Sequence, residues 1–299
     1  MKIGIGLPNA IVGTSGKTIV DWARRAEERG FSTLGTIGRV AYPSYSELIA
    51  LSAAAGATSR IGLMTDILLG PIYDPLLLAK DTASLDQLSG GRFTLGASVG
   101  NRTEDYAVTG RSFDDRGRRW DEALELMHRL WKGEAQEGSE YPVTPTPTNG
   151  ERVPMLIGGY KDVVIPRIVK WGQGWTVGGA PPEMIAPFAE KVRAAWKEAG
   201  CEGQPRMVAL AYFALGPNAE DGARKDLMHY YAWTGQVAEM IVQNTPKTPE
   251  AIQDRQKATE AIGIDELIWF PTIADVDQVD MLADLTGVQV TAEEPGTGV

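Results

Sequence analysis

Two glycine pairs have the spacing most suggestive of chemistry. Gly158-Gly159 and Gly178-Gly179 each end a short strand-like run and are each followed by helical sequence. Turns without side chains let backbone N–H groups converge on an anion, and a following helix N-terminus adds its dipole. Lys161 and Arg167 could add charge beside the first pair. Tight strand-to-helix turns also need glycine for conformational reasons alone. A phosphate cradle and two plain turns both remain open.

Two further residues follow predicted strands and could contact a substrate. Arg39 ends the second strand, where its guanidinium could orient an anionic substrate or a coenzyme ring through paired hydrogen bonds. A surface ion pair is the alternative. Asn101 follows the fourth strand, with Glu104 and Asp105 behind it, and a hydrogen-bond donor or an acid there would face a ligand. The two acids could equally be solvated at a helix start.

Cysteine and histidine are too scarce to suggest a metal centre. Cys201 is the single cysteine, so an internal disulfide is excluded and a thiolate metal site is implausible. His128 lies mid-helix between Met127 and Arg129, which favours a structural role. His229 belongs to an irregular aromatic segment that could form a lid. We therefore expect no metal site.

Charge and hydropathy limit the kinds of partner that the protein is expected to bind. The formal net charge is −10, and no segment has the clustered Lys and Arg that a nucleic-acid binder needs. No run reaches the roughly 18 apolar residues of a membrane span. Met1-Lys2 leads directly into a strand and not into a signal peptide. We expect a cytoplasmic protein that acts on a small molecule, without nucleic-acid or membrane partners.

The elements that must position these residues alternate regularly. The stretch Ile61–Gly100 reads as strand, helix and strand, and Asp74-Pro75 starts its helix, as in a right-handed βαβ unit. Lys2 to Pro8 alternates Ile and Gly, which indicates close approach of another group to that strand. Eight strand-like runs, each followed by helical sequence, predict an α/β fold of the (β/α)8 TIM-barrel type. The competing open sheet lacks its G-x-G-x-x-G fingerprint.

The barrel prediction has consequences for the whole chain. Residues 1–299 are expected to form one domain, with insertions at the C-terminal face of the barrel, where barrel chemistry is found. Ser44 and Glu47 have the spacing of a capping box for the second helix. Segments expected to depart from the barrel pattern are a surface excursion at 134–152, a possible lid at 219–248 and a frayed tail at 292–299.

Three motifs resemble a known family. Asp74–Lys80 (DPLLLAK), Leu85–Arg92 (LDQLSGGR) and Leu95–Gly100 (LGASVG) are similar to segments of the bacterial luciferase-like family of barrel oxidoreductases, which use FMN or the deazaflavin coenzyme F420. The resemblance implies a flavin-type ring across the C-terminal mouth. It also implies a non-proline cis peptide behind that ring, which by position would be Thr65-Asp66.

The same resemblance suggests which residues hold the coenzyme. It places the phosphate on the glycine pairs. FMN-using relatives have an arginine near Val99, and valine there favours F420. Deazaflavin sugar-phosphate dehydrogenases have a histidine near Arg39 and a glutamate near Asn101, so their acid–base chemistry does not carry over. The expected cofactor-binding residues are Thr65, Asp66, Ile67, Ser98, Val99, Gly158, Gly159, Tyr160, Gly178 and Gly179.

The leading hypothesis is hydride transfer between F420 and a small organic substrate, with Arg39 or Asn101 facing that substrate. An FMN-dependent monooxygenase is the first alternative. A flavin-binding protein without turnover is the second, because no unambiguous acid or base is apparent at the mouth. Aromatic residues such as Tyr230, Tyr231 and Trp233 suggest a planar or apolar substrate, but core or dimer packing explains them equally well. A homodimer is expected.

Overall fold

The computed structural model describes residues 1–290, in which a closed parallel barrel is surrounded by helices. The predicted (β/α)8 TIM barrel is confirmed. The expected frayed tail at 292–299 lies outside the described residues. Within residues 1–290 no helix combines the length and the apolar composition needed to cross a membrane.

The barrel has eight staves, one of which is interrupted. Its strands are β1 (Lys2–Gly6), β2 (Thr33–Thr36), β3 (Gly62–Thr65), β4 (Leu68–Leu69), β5 (Phe93–Ser98), β6 (Met155–Gly158), β7 (Gly174–Val177), β8 (Arg206–Phe213) and β9 (Glu266–Pro271). β3 and β4 are two halves of the third stave, because both pair in parallel with β5. β1 pairs with β9 and closes the barrel.

The helices follow the strands in the expected order. They are α1 (Gly16–Arg29), α2 (Glu47–Ala57), α3 (Pro75–Ser89), α4 (Thr103–Val108), α5 (Arg116–Trp131), α6 (Ile165–Trp171), α7 (Pro182–Glu198), α8 (Ala219–Tyr230), α9 (Gln236–Gln243), α10 (Pro249–Ala261) and α11 (Asp277–Thr286). Short 3₁₀ turns lie at Gly70–Ile72, Asp162–Val164 and Ala232–Thr234. The sequence pattern missed α4, which occupies the polar stretch after Gly100.

The sequence predicts side-chain caps at the starts of α3 and α2, and the structure agrees with one of them. The Asp74 carboxylate accepts hydrogen bonds from the N–H groups of Leu76 and Leu77, so the predicted cap of α3 is confirmed. The predicted capping box of Ser44 and Glu47 before α2 is wrong. Ser46 precedes that helix, and the Ser44 hydroxyl donates instead to the carbonyl of Arg39, 3.2 Å away.

An aromatic ring inside the barrel explains why β1 has glycine at position 6. A Cβ atom on Gly6 would lie 2.3 Å from the Phe270 ring, and one on Gly35 of β2 would lie 2.8 Å from it. Phe270 is 1% exposed and packs inside the barrel with Met64 and Leu210. The group that approaches β1 closely is therefore this ring. A second, larger core lies between the sheet and the helices.

The LDQLSGGR motif ties loops to the barrel. The Asp86 carboxylate is fully buried and accepts hydrogen bonds from the backbone N–H (2.7 Å) and the hydroxyl (2.8 Å) of Thr148. The Gln87 amide donates to the Thr146 carbonyl at 2.8 Å. The guanidinium of Arg92 donates to the Ala55 carbonyl near the end of α2 and to the Ile61 carbonyl just before β3. The excursion at 134–152 is thus anchored on α3.

Replacing Asp86 with alanine is expected to release that excursion. Asp86→Ala removes the acceptor of two partly buried hydrogen bonds from Thr148, which costs about 1 kcal/mol of unfolding free energy because water can reach the exposed donors. Urea unfolding would measure the loss, and limited proteolysis should show faster cleavage within 134–152. Asp81→Ala, at an exposed position of the same helix, is the control and should change neither result.

Candidate functional site

The third stave breaks at the C-terminal rim of the barrel, which we define as the loops that follow the strands. Thr65 is still in register with Thr36 of β2, and its hydroxyl donates to the Gly96 carbonyl at 2.8 Å. The Asp66 N–H also donates to the Thr36 carbonyl, at 2.6 Å. The non-proline cis peptide is Asp66-Ile67. The predicted position, Thr65-Asp66, is wrong by one residue, because the chain stays in the sheet through the Asp66 N–H.

Asp66 is a buried acid in this break. Its Oδ1 atom accepts a hydrogen bond from the Thr176 hydroxyl at 2.6 Å, and its Oδ2 atom is buried without a partner among the described residues. Burial raises the pKa of Asp66 to about 7, although the Thr176 hydrogen bond lowers it. The next side chain, Ile67, lies against β6, where a Cβ atom on Gly158 would come within 2.7 Å of it. The break and the first glycine pair therefore form one continuous wall.

The two glycine pairs differ in what the fold demands of them. Gly158 must make room for Ile67, and Gly159 has φ 138° with Val164 packed 2.8 Å from where a Cβ would lie. At Gly178 and Gly179 an added Cβ would meet nothing closer than 3.6 Å and 3.5 Å. Packing thus accounts for glycine at the first pair only. The backbone of the second pair is open.

Tyr160 joins the two pairs. Its hydroxyl donates to the Gly178 carbonyl at 2.7 Å, and the indole N–H of Trp175 donates to the Gly159 carbonyl at 2.7 Å. Neither pair is followed directly by a regular helix, since α6 begins at Ile165 and α7 at Pro182. The expected helix-dipole contribution is therefore weak, and the loop backbone itself must supply any anion contacts.

Positive charge near the glycine pairs is sparse. Arg167 points toward α5, where its guanidinium binds the Asp121 carboxylate at 2.6 Å and 2.8 Å. Lys191 is paired with Asp162 at 2.8 Å. Lys161 is exposed and forms no ion pair with a described residue. Of the two cations suggested by the sequence, Lys161 alone is placed to meet an anion here.

The loop after β5 has few polar side chains that could contact a ligand. Ser98 is buried, and its hydroxyl accepts weakly from the Gly100 N–H at 3.4 Å. Val99 is partly buried, and its carbonyl accepts from the Tyr106 hydroxyl at 2.5 Å. The Asn101 side chain is exposed and makes no hydrogen bond to a described residue. Asn101 thus stands at the rim, free to meet a ligand.

Arg39 is held inside the rim. Its side chain is 6% exposed, and its guanidinium donates to the Tyr230 carbonyl at 2.7 Å and to Glu104 at 3.0 Å. The guanidinium carbon also lies 4.8 Å from the centre of the Tyr42 ring, a cation–π contact. Its Nε atom is buried without a partner. Arg39 therefore clamps the loop after β2 to α8, and its Nε–H group has no partner among the described residues.

A second arginine makes a parallel clamp. Asp105 is fully buried and accepts hydrogen bonds from the N–H groups of Val40 (2.9 Å) and Ala41 (3.1 Å). Its other oxygen accepts from Arg102 at 2.8 Å, and Arg102 also donates to the Gly38 carbonyl at 2.6 Å. Asp105 is thus structural, while Glu104 is the exposed partner of the Arg39 clamp.

Glu47 is a mouth residue that sequence reasoning missed. It is 7% exposed, and its carboxylate lies against Gly38, where any Cβ atom would overlap it. No other described residue donates a hydrogen bond to the carboxylate. Burial raises the pKa of Glu47 to about 7, while Arg102 opposes the rise and Asp105 adds to it. The sequence signal is Gly38, two residues after the end of β2, which leaves room for the Glu47 carboxylate.

The segment 219–248 contacts the loop after β2 and the top of β8. The Tyr42 hydroxyl and the Nδ1 atom of His229 are 2.7 Å apart, and the hydroxyls of Tyr212 and Tyr231 are 2.7 Å apart. Asp226 of α8 is partly buried and has no hydrogen-bond partner among the described residues. Burial raises its pKa to about 7. These contacts join α8 to the loop after β2 and to the top of β8.

The remaining polar candidates lie elsewhere. His128 is buried on α5, with its Nδ1 atom 2.8 Å from the Leu124 carbonyl, and burial lowers its pKa. Among residues 1–290 no three His, Cys, Asp or Glu side chains are grouped so that they could hold a metal ion. The chemistry that the described residues offer is thus a wall at the third stave, an open backbone at β7 and three acids with raised pKa values.

Known proteins share this architecture. Two solved structures match nearly the full length. An F420-dependent secondary alcohol dehydrogenase in complex with an F420-acetone adduct has a TM-score of 0.78, with 18% identity over 97% of this chain and 99% of its own. The oxygenating constituent of 3,6-diketocamphane monooxygenase from Pseudomonas putida, in complex with FMN, has a TM-score of 0.73, with 16% identity over 96% and 97%. At these identities the likeness concerns the fold.

Sequence comparison identifies the family. An uncharacterized protein of Mycobacterium tuberculosis is 32% identical over 207 residues, which cover 60% of this chain and 71% of that protein. The family model described as luciferase-like monooxygenase matches residues 1–280. The chain belongs to the luciferase-like monooxygenase family, whose members include F420- and FMN-dependent oxidoreductases.

Proposed function

We propose that this protein transfers hydride between coenzyme F420 and a small organic substrate. The observation that carries the proposal is the scarcity of free cations around an open glycine backbone. Lys161 is exposed there, whereas Arg167 and Lys191 are engaged with Asp121 and Asp162. The site is therefore suited to a phosphate of low charge.

The charge of the phosphate separates the two coenzymes. A phosphate monoester, as in FMN, carries about −1.5 to −2 charges at neutral pH and usually needs an arginine-type partner. The phosphate of F420 is a diester with one negative charge, which N–H groups of Gly178 and Gly179 and one lysine could balance. Valine at position 99, in the loop after β5, is consistent with this preference. The residues present thus fit F420 better.

The remaining rim residues fit a flat ring system in the mouth. Thr65, Asp66 and Ile67 would form the wall behind it, continuous with Gly158. Tyr160 would lie beside it, because its hydroxyl is fixed on the Gly178 carbonyl. Arg39 and Asn101 would face the substrate side, with the Arg39 Nε–H as an unused donor.

Glu47 is suited to handle the proton that accompanies hydride transfer. When bound, F420 supplies or accepts the hydride. An oxygen on the substrate then gains or loses a proton. With a pKa of about 7, the Glu47 carboxyl populates both protonation states near neutrality, which is the condition for efficient general acid–base catalysis. Its carboxylate has no hydrogen-bond partner on another described residue and is free to bond to such an oxygen.

An FMN-dependent monooxygenase is the second candidate. The structural match to the FMN-bound oxygenating constituent of 3,6-diketocamphane monooxygenase favours it. The same wall and the same glycine pairs would serve its flavin ring and phosphate. The two candidates differ in the coenzyme that binds.

Direct titration should distinguish the two coenzymes. We expect the purified protein to bind F420 at least about tenfold more tightly than FMN, equivalent to about 1.4 kcal/mol, because a single lysine at the site does not balance the charge of the FMN phosphate. Fluorescence titration of both coenzymes measures this. Tight FMN binding without F420 binding, together with oxygen consumption in the presence of reduced FMN, would establish the monooxygenase instead.

Gly178→Ala should weaken coenzyme binding without unfolding the protein. The new methyl group fits the fold, since its nearest neighbour is the Tyr160 hydroxyl at 3.6 Å, but it obstructs the backbone from an approaching phosphate. We expect the Kd for F420 to rise by roughly tenfold or more. Gly56→Ala is the control, because a Cβ atom there meets nothing within 4 Å and the residue lies on α2, away from the glycine pairs. Equal affinities of the two variants would exclude Gly178 from the phosphate site.

Glu47→Gln should alter both stability and activity. Because burial raises the folded-state pKa of Glu47 from 4.5 to about 7, the folded protein holds the extra proton, and stability falls as pH rises from about 4.5 to about 7. Glutamine cannot titrate, so the variant should lack a part of that decline on the order of 3 kcal/mol. Denaturant unfolding at several pH values measures it.

The activity of Glu47→Gln gives the second readout. We expect kcat with F420 to drop about 10²-fold or more and the matching limb of the pH–rate profile to disappear. Glu198→Gln, at an exposed position of α7, controls for loss of one carboxylate. A changed stability profile with unchanged kcat would make Glu47 a structural acid only.

A further inference from the structure

A pocket beneath α8 holds an acid that the proposed chemistry does not use. Its volume is about 350 Å³, within the range of small-molecule sites. It lies between α8 and the loops after β1 and β9. Its lining includes Ile11, Val12, Asp226, His229 and Ile273. We infer that this pocket binds the substrate, and that Asp226 selects a molecule with an apolar body and an ammonium group.

The position of the pocket suits a substrate. Going round the closed sheet, the break in the third stave, the glycine pairs on β6 and β7, and the pocket at β9 and β1 occupy three separate sectors of the rim. A ring backed by the break and anchored at the glycine pairs would have its free side toward the third sector. The assignment as a substrate pocket, as distinct from a ligand pocket, rests on the proposed function.

Asp226 is electrostatically uncompensated. It accepts no hydrogen bond from a described residue, and burial is the one cause of its raised pKa, so no described cation offsets it. It raises the pKa values of Tyr42 and Tyr231 in turn, which places its charge beside the aromatic cluster of the mouth. A carboxylate in such surroundings gains most from a ligand that brings both a positive charge and N–H donors.

The groups that face Asp226 do not supply this charge. Lys225 also lines the pocket, but its side chain is exposed and forms no ion pair with Asp226. The Nδ1 atom of His229 is engaged with the Tyr42 hydroxyl, 2.7 Å away. The loop residues Ile11, Val12 and Ile273 are apolar. An ammonium group on a small ring compound would pair with Asp226 while the ring contacts these side chains.

The test uses two probes of equal shape. Benzylamine and benzyl alcohol are titrated into the full-length protein, without coenzyme, at about pH 8.5, where Asp226 is ionised. We expect benzylamine to bind roughly tenfold or more tightly than the alcohol, because it can form a charge-assisted hydrogen bond. Methyl NMR with labelled isoleucine should show shifts at Ile11 and Ile273 and none at Ile3, which lies at the opposite end of β1.

Two variants decide the role of Asp226. Asp226→Asn should abolish the preference for the amine while preserving the fold and the F420 affinity. Asp221→Asn, at an exposed position on the same helix, should retain the preference. Equal binding of the two probes, or a preference that survives Asp226→Asn, would overturn the inference.

Coenzyme titration separates this inference from the proposed function. Failure of F420 to bind, with the amine preference intact, would leave an amine pocket in a protein of other function. Conversely, mutual exclusion of benzylamine and F420 would show that the pocket belongs to the coenzyme site and would overturn the substrate assignment.

Discussion

The close contact between the third and fourth staves determines the geometry of the mouth. A Cβ atom on Gly96 would lie 2.0 Å from the Thr65 carbonyl oxygen, so the two backbones meet with no side chain between them. The Thr65 hydroxyl adds a hydrogen bond to the Gly96 carbonyl across the same contact. Because Thr65 is held there, the stave breaks at Asp66-Ile67 and resumes at Leu68. The wall, the orientation of Ile67 and the need for Gly158 all follow from this contact.

Charge is distributed unevenly round the mouth. The guanidinium groups of Arg39 and Arg102 already bind carbonyls, carboxylates and aromatic rings of the chain itself. Glu47 and Asp226 have no such partners, so burial keeps their pKa values near 7. The mouth thus combines basic groups that hold loops in place with acidic groups that are free to meet a ligand. Under the proposed function, this division of roles would leave the backbone N–H groups to bind an anionic coenzyme on a chain of net charge −10.

Much of this arrangement is readable from the sequence, because it depends on local patterns. Alternating apolar runs and helices predict the barrel, and the cap at Asp74 follows from residue type alone. The glycine pairs mark the correct strand ends. The cis bond was misplaced by one residue, because nothing local reveals that the Asp66 N–H still bonds to Thr36. Glu47 was read as half of a capping box, since its contact with Gly38 exists only after α2 has packed beside β2. The clamp of Arg39 on Tyr230 joins residues 191 positions apart and has no sequence signature.

The contacts of Arg39 and Arg102 affect how readily the end of α8 can move. Arg39 bonds to Tyr230 and Glu104, while Arg102 bonds to Asp105 and Gly38 and lies over the rings of Tyr230 and Trp233. Since both arginines contact Tyr230, the end of α8 cannot move away from the barrel without disturbing both sets of contacts at once. Opening of this segment is therefore cooperative and costs several interactions in a single step. A ligand that has to pass this segment would therefore wait for several contacts to break together.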